Sequence, residues 1–142
     1  MKVDKKALRQ ILEEMVPFNK HLGIKLKSYA YNPIRVSSTV LVKDEFIGNV
    51  IRNVPHGGLI STIIDATSGT AAMLSLENYE HIARLATIDM RIDFLDAAKT
   101  DKLITESVIK RRGRRIIVVS TEVHDELGTL IAIGTNTFNL AV

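Results

Sequence analysis

The chain has 142 residues, 46% hydrophobic and 25% charged, with a formal charge of +3. That length and balance predict one globular domain, residues 1–142, with a core of its own, and exclude a disordered chain. The absence of cysteine excludes thiol catalysis, disulfides and cysteine metal sites, and so small a positive charge suits an anionic ligand without calling for nucleic acid.

Residues 4–15 set Ala7, Leu8, Ile11, Leu12 and Met15 at helical spacing between charges, which predicts an amphipathic helix for Asp4 to cap and Pro17 to stop. Residues 1–20 mix Lys, Asp and Glu with apolar residues, unlike a signal peptide. No run approaches the length of a membrane span, so the expectation is a soluble cytoplasmic protein with no membrane partner. Residues 23–31 and 34–42 read as two strands around the turn signal Asn32-Pro33. In the second, Val36, Val40 and Val42 share one face, and Arg35, Ser37 and Thr39 the other. A loop over 43–55 follows.

Residues 57 to about 77 predict the one long helix. Its apolar residues, Leu59, Ile60, Ile63, Ile64, Ala71, Ala72 and Leu74 among them, spread around the circumference, so a sheet should wrap it. Ser68 and Gly69 are small enough for a backbone or a ligand to approach closely. Asp65 sits inside this apolar run, where an unpaired carboxylate is costly to desolvate. Two readings account for it: a structural carboxylate bonded to backbone or serine groups, or a catalytic base or nucleophile aimed at a pocket.

Beyond the helix, Ala86, Ile88, Met90, Ile92 and Phe94 alternate with Thr87, Asp89, Arg91, Asp93 and Leu95, a strand with period two. Strands over 103–110, 115–124 and 129–140 follow, with short glycine-bearing connections at 111–114 and 125–128. These predict an antiparallel meander and an α+β fold.

Gly57 and Gly58 open the long helix, where backbone N–H groups are free and the dipole is positive. They read either as an approachable oxyanion site or as a turn that needs glycine torsions. Asp65 lies roughly 12 Å further along the same axis, at 1.5 Å per residue, so one copy cannot bring both groups to one carbonyl. Antiparallel helices in a two-fold dimer would join Asp65 of one copy to Gly57 of the other. His21, His81 and His124 show no ligand spacing with His56 or one another, and no metal site is expected. The run Lys110-Arg111-Arg112-Gly113-Arg114-Arg115 reads as a solvated hairpin tip or as a phosphate grip. No stacking aromatics accompany it to suggest nucleic acid.

His56-Gly57-Gly58, then Asp65, then the strand opening Ala86-Thr87-Ile88-Asp89-Met90, resembles the hotdog-fold thioesterases of the phenylacetic-acid-degradation type. The likeness spans nearly the whole chain. It takes in Pro17-Phe18-Asn19-Lys20-His21-Leu22-Gly23, Phe94-Leu95-Asp96-Ala97-Ala98, Gly113-Arg114 and Asp125-Glu126-Leu127-Gly128. The resemblance implies a sheet wrapped around one central helix, in a homodimer or homotetramer. It implies hydrolysis of an acyl-CoA to a carboxylic acid and coenzyme A, with no cofactor. It casts Gly57 N–H as oxyanion donor, Asp65 of the opposite subunit as base or nucleophile, Thr87 as holder of the water, and His56 as orienter of the substrate carbonyl or of the glycine turn. Gly58 and Ser68 are expected against the substrate, with Leu59 and Ile63 setting pocket depth, and Arg112, Gly113 and Arg114 near the nucleotide. One position departs from the family: where it carries Asn, six residues before His56, stands Val50, so Asn49 is expected to serve, with Asn53 on the other side. The rival readings are a non-catalytic acyl-CoA-binding or acyl-carrier-binding module, and a dehydratase, for which the helix lacks a His/Asp pair.

Overall fold

The long apolar helix organises the molecule. The computed structural model describes residues 3–141. Helix α1, Lys5–Gln10, is capped by the Asp4 carboxylate, which accepts the Ala7 N–H at 2.8 Å. A wide helical turn, Ile11–Met15, leads to α2, Pro17–Leu22. Pro17 ends one helix, as expected, and also starts another: in the first turn its missing N–H has no partner to lose. Gly23 closes α2 with φ at 74°, a left-handed torsion that suits glycine.

Strands β1, Lys25–Ala30, and β2, Arg35–Leu41, pair around the Asn32-Pro33 turn. The segment expected as a plain loop contains a small hairpin, β3, Ile47–Asn49, against β4, Val54–Pro55. Helix α3 runs Gly57–Leu74, shorter than its expected end near 77, and the Ser75 hydroxyl bonds the Ala72 carbonyl at its C-terminus. A turn of helix, Tyr79–Arg84, leads into β5, Leu85–Phe94. Strands β6, Lys102–Arg112, β7, Ile116–Asp125, and β8, Leu130–Leu140, form the meander.

The sheet order is β1-β2-β6-β7-β8-β5, antiparallel throughout, and β2 and β5–β8 all contact α3. This is the α+β hotdog arrangement. Ile63 and Ile64 of α3 are fully buried against Val36, Leu103, Ile117, Val119 and Val123 of the sheet. Contact is so close at Gly134 that a Cβ there would lie 2.9 Å from Ile64 Cγ2. Among the described residues, no helix is long and apolar enough to cross a membrane.

Two bulges change the expected faces. In β6 the register slips between Ile109 and Arg111, so the strand continues to Arg112 where a connection was expected. In β5 it slips between Thr87 and Asp89. A bulge places one extra residue on one strand and reverses the alternation beyond it. Thr87 pairs with Phe138, Met90 with Asn136 and Ile92 with Gly134, so these three β5 residues share the helix-facing side. The unbroken period of two had assigned Thr87 to the polar side.

Candidate active site

Because of that bulge, Thr87 reaches Asp65. Its hydroxyl donates to Asp65 Oδ1 at 2.9 Å, and the Asn136 side-chain amide donates to the same oxygen at 3.1 Å. Asp65 Oδ2 accepts no bond from the described residues. Asp65 and Thr87 stand in the wall of an apolar cleft of 300 Å³ between α3 and the N-terminal helices, lined also by Ile11, Phe18, Gly69 and Met73. Leu59 and Ile63, expected to set its depth, are core residues instead. Ser68 is also fully buried, its hydroxyl bonded to the Asp65 backbone carbonyl at 3.1 Å, and Gly69 lines the cleft in its place.

The other end of α3 is built around His56. Its N–H donates to the Phe46 carbonyl at 2.8 Å. Gly48 approaches so closely that a Cβ would lie 2.6 Å from His56 Cα. His56 Nδ1 accepts the Gly58 N–H at 2.7 Å, and its carbonyl takes the N–H groups of Leu59 and Ile60 at 3.0 and 3.3 Å. His56 therefore orients the glycine turn, and in the neutral ring the proton sits on Nε2. Gly58 is occupied by this cap, since a Cβ there would meet Nδ1 at 2.8 Å.

Among the first-turn amides, Gly57 N–H alone has no acceptor among the described residues. Neither Gly57 nor Gly58 has a positive φ, so turn torsion does not account for the pair. Gly57 lies in the wall of a second cleft, of 390 Å³, with Arg52, Pro55, Ile60, Phe94 and Ala97. The two clefts sit at different points along one helix, and each abuts β5: Gly57 beside Phe94, Asp65 beside Thr87.

Asn49 does not point its acceptor at either group. Its Oδ1 takes the N–H groups of Ile51 and Arg52 at 3.1 and 3.0 Å, an Asx turn that shapes the loop before His56. Asn53 holds a left-handed turn position with φ at 55°. At the arginine hairpin, Gly113 N–H donates to the Ile116 carbonyl at 2.8 Å, and a Cβ on Gly113 would meet that oxygen at 2.9 Å. The Arg112 guanidinium bonds the Gly113 carbonyl. Arg111, Arg112, Arg114 and Arg115 are exposed and form no ion pair among the described residues. The tip lies at the Thr87 end of the sheet: Ile116 pairs with Asn139, which pairs with Ala86. Among the described residues no three His, Cys, Asp or Glu side chains group as metal ligands.

Asn136 is the residue the sequence did not disclose. An isolated Asn in a β-rich segment carries no spacing signal, and only the fold sets it under Asp65.

Residues 53–132, more than half of the chain, match the family model described as the thioesterase superfamily. The chain belongs to that superfamily. It is a thioester hydrolase by membership, and the resemblance drawn from His56-Gly57-Gly58 and Asp65 holds. It is 27% identical over 147 aligned positions to the medium/long-chain acyl-CoA thioesterase YigI of Escherichia coli K12, covering 93% of this chain and 92% of that one. A crystal structure from Shewanella oneidensis, described as related to the thioesterase superfamily, is 29% identical with a TM-score of 0.83, covering 96% of this chain and 94% of that one. A phenylacetic-acid-degradation-related protein from Ralstonia eutropha JMP134 shares the fold at 22% identity and TM-score 0.79, covering 93% and 98%.

Proposed function

We propose that the protein is an acyl-CoA thioesterase acting as a two-fold dimer, with Asp65 of one copy and Gly57 N–H of the other on the same thioester. Water attacks the thioester carbonyl carbon as Asp65 Oδ2 takes its proton, with Thr87 helping to hold the water. The carbonyl oxygen becomes an oxyanion accepting the Gly57 N–H at the positive end of α3. Collapse breaks the C–S bond, and the proton passes from Asp65 to the coenzyme A sulfur, leaving a carboxylic acid. No step needs a metal or an organic cofactor. His56 acts by holding the first turn of α3 so that Gly57 N–H stays free.

The observation that carries this reading is a division of labour on one helix. A carboxylate with one free oxygen faces an apolar cleft, and the single free first-turn amide faces another, both against an edge strand. β5 ends the sheet, and its Ile88, Met90 and Phe94 are 59%, 39% and 57% exposed. The opposite edge, β1, exposes only polar and charged side chains and Ala30, with Leu26 buried, and offers no comparable apolar surface. An antiparallel pairing of two β5 strands about a two-fold at Arg91 sets Met90 of one copy across from Ile92 of the other, and the bulge at Ile88 then sets Thr87 across from Phe94 of the mate. That brings Gly57 of one copy toward Asp65 of its mate. The apolar lining around Asp65 favours an apolar acyl group, and the name of the Escherichia coli relative supports one of medium or long chain. The exposed arginines at the Thr87 end of the sheet supply cations for the nucleotide phosphates.

Asp65→Asn tests the reading. With the fold intact, hydrolysis measured by thiol release should fall roughly 10²–10⁴-fold, the range for a lost general base. Melting temperature lowered with turnover of the folded fraction retained would leave an acyl-CoA-binding module as the better account.

A further inference from the structure

Asn136 is fully buried on β8, yet its Oδ1 is the one buried side-chain oxygen or nitrogen among the described residues without a hydrogen-bond partner. Its cross-strand neighbours facing the helix are Val119 and Met90, with Phe138 two residues along. An aliphatic side chain would fit that environment and leave nothing unpaired. A dry, orphaned carbonyl at such a point calls for a reason.

The reason lies at the other end of the amide. Nδ2 donates to Asp65 Oδ1 at 3.1 Å. Turning the amide over would set its carbonyl against a carboxylate, so the orphan is forced by the bond to Asp65. Thr87 donates to the same oxygen, but from a half-open edge strand beside the Ile88 bulge. Asn136 donates from an interior strand paired on both sides. With both donors on Oδ1, a rotation that exchanges the two oxygens would break both bonds, and Oδ2 is left as the oxygen without a partner among the described residues.

We propose that Asn136 is a positioning residue for the Asp65 base, kept despite an unpaired carbonyl because it fixes which carboxylate oxygen meets water. The inference rests on the thioesterase reading. Asn136 lies outside residues 53–132, the span that matches the superfamily model.

Asn136→Leu removes the donor and the orphan together and keeps the branched shape of the side chain, though with a larger volume. The expected result pairs opposite signs: melting temperature held or raised, because a buried unpaired carbonyl is gone, and kcat lowered roughly 10–100-fold through lost orientation. KM for acyl-CoA should stay within about twofold, because Asn136 touches neither cleft. In an Asp65→Asn background the same substitution should change residual turnover by less than about twofold, because its effect runs through Asp65. Asn136→Ala repeats the kinetic arm should the larger side chain impair folding. Wild-type kcat in a folded Leu or Ala variant, or an equal loss with and without Asp65, overturns the inference while wild-type hydrolysis leaves the thioesterase reading standing. Wild-type protein that releases no thiol from any acyl-CoA overturns that reading, and this inference with it.

Discussion

The proposed oxyanion donor is a backbone amide, and its position allows it to be deleted. Gly57 is the first helical residue of α3, the one place where proline is favoured inside a helix. His56 before it already has φ −63° and ψ 135°, the extended conformation that a residue preceding proline requires. Gly57 N–H has no acceptor among the described residues, so Gly57→Pro removes no known bond of the folded chain. The added Cβ would lie 3.4 Å from the Phe94 ring, which is 57% exposed and free to yield. The folded state should be unchanged or stabilised by about 0.4–1 kcal/mol through a stiffer unfolded chain. Turnover should fall roughly 10²–10³-fold, as for other lost oxyanion donors. Gly57→Ala carries the same Cβ and keeps the N–H, so it separates contact with Phe94 from loss of the donor. The assay is kcat from thiol release beside the thermal midpoint on one preparation. The pair of variants also tests the two-chain site. In a heterodimer of Gly57→Pro with Asp65→Asn, one site holds both native groups and the other holds neither. Random reassociation makes half the dimers mixed, each with one of two sites intact, so about a quarter of wild-type activity should return. Verified heterodimers with no recovery would refute the division of the site between chains, and a Gly57→Pro enzyme at full kcat would refute Gly57 as donor.

Replacing Arg112 and Arg114 together with Ala should raise KM for acyl-CoA roughly tenfold and spare kcat, since phosphate contacts bind ground and transition states alike. A pantetheine thioester without those phosphates should show little change, and equal penalties on both substrates would return the hairpin to a solvated tip. Asp125 gives a pH prediction. Burial would raise its pKa, but the Lys99, Thr129 and Leu127 N–H groups and the Thr129 hydroxyl outweigh that, and the net shift is downward from 3.8. A lowered folded-state pKa contributes stability above the unfolded value that is lost as pH falls through the folded one. Asp125→Asn should therefore melt below wild type at pH 7, with the gap narrowing as pH drops below about 4, followed by thermal melts across pH.

Most of the fold was legible because it rests on patterns longer than any local irregularity. The apolar girth of α3 required a wrapping sheet, and the glycine-bearing turns of the last three strands required a meander. Errors fell where one residue changes the outcome. Nothing in Thr87-Ile88-Asp89 announces a bulge, and without one Thr87 belongs to the solvent face. Pro17 predicts a stop, and the same chemistry also makes it the start of α2. Asn49 was expected to turn toward the site, but its carbonyl is engaged by the Ile51 and Arg52 amides. Within the site, Asp65 and Gly57 were visible because each is out of place: a charge in an apolar run, a glycine where a better helix former would serve. Asn136 was invisible because its partner lies 71 residues away.

The spacing of Asp65 and Gly57 ties the chemistry to the sheet edge. On a single copy these groups serve different clefts, so turnover under the proposed mechanism depends on what β5 does with its open side. The bulge at Ile88 then has two consequences. It turns Thr87 inward to Asp65, and it breaks the regular ladder at one end of the edge strand, which leaves the stretch from Asp89 to Phe94 as the straight segment for a partner. Register in that pairing is demanding, because a slip of one residue would turn each side chain to the opposite face. It would also move Gly57 of one copy relative to Asp65 of the other by roughly 3.3 Å per residue slipped, more than a water and a thioester carbonyl can accommodate between them. Under the proposed mechanism, Arg91 and its neighbours at the centre of β5 therefore govern catalysis without touching substrate, by setting the distance between a base on one chain and an amide on the other.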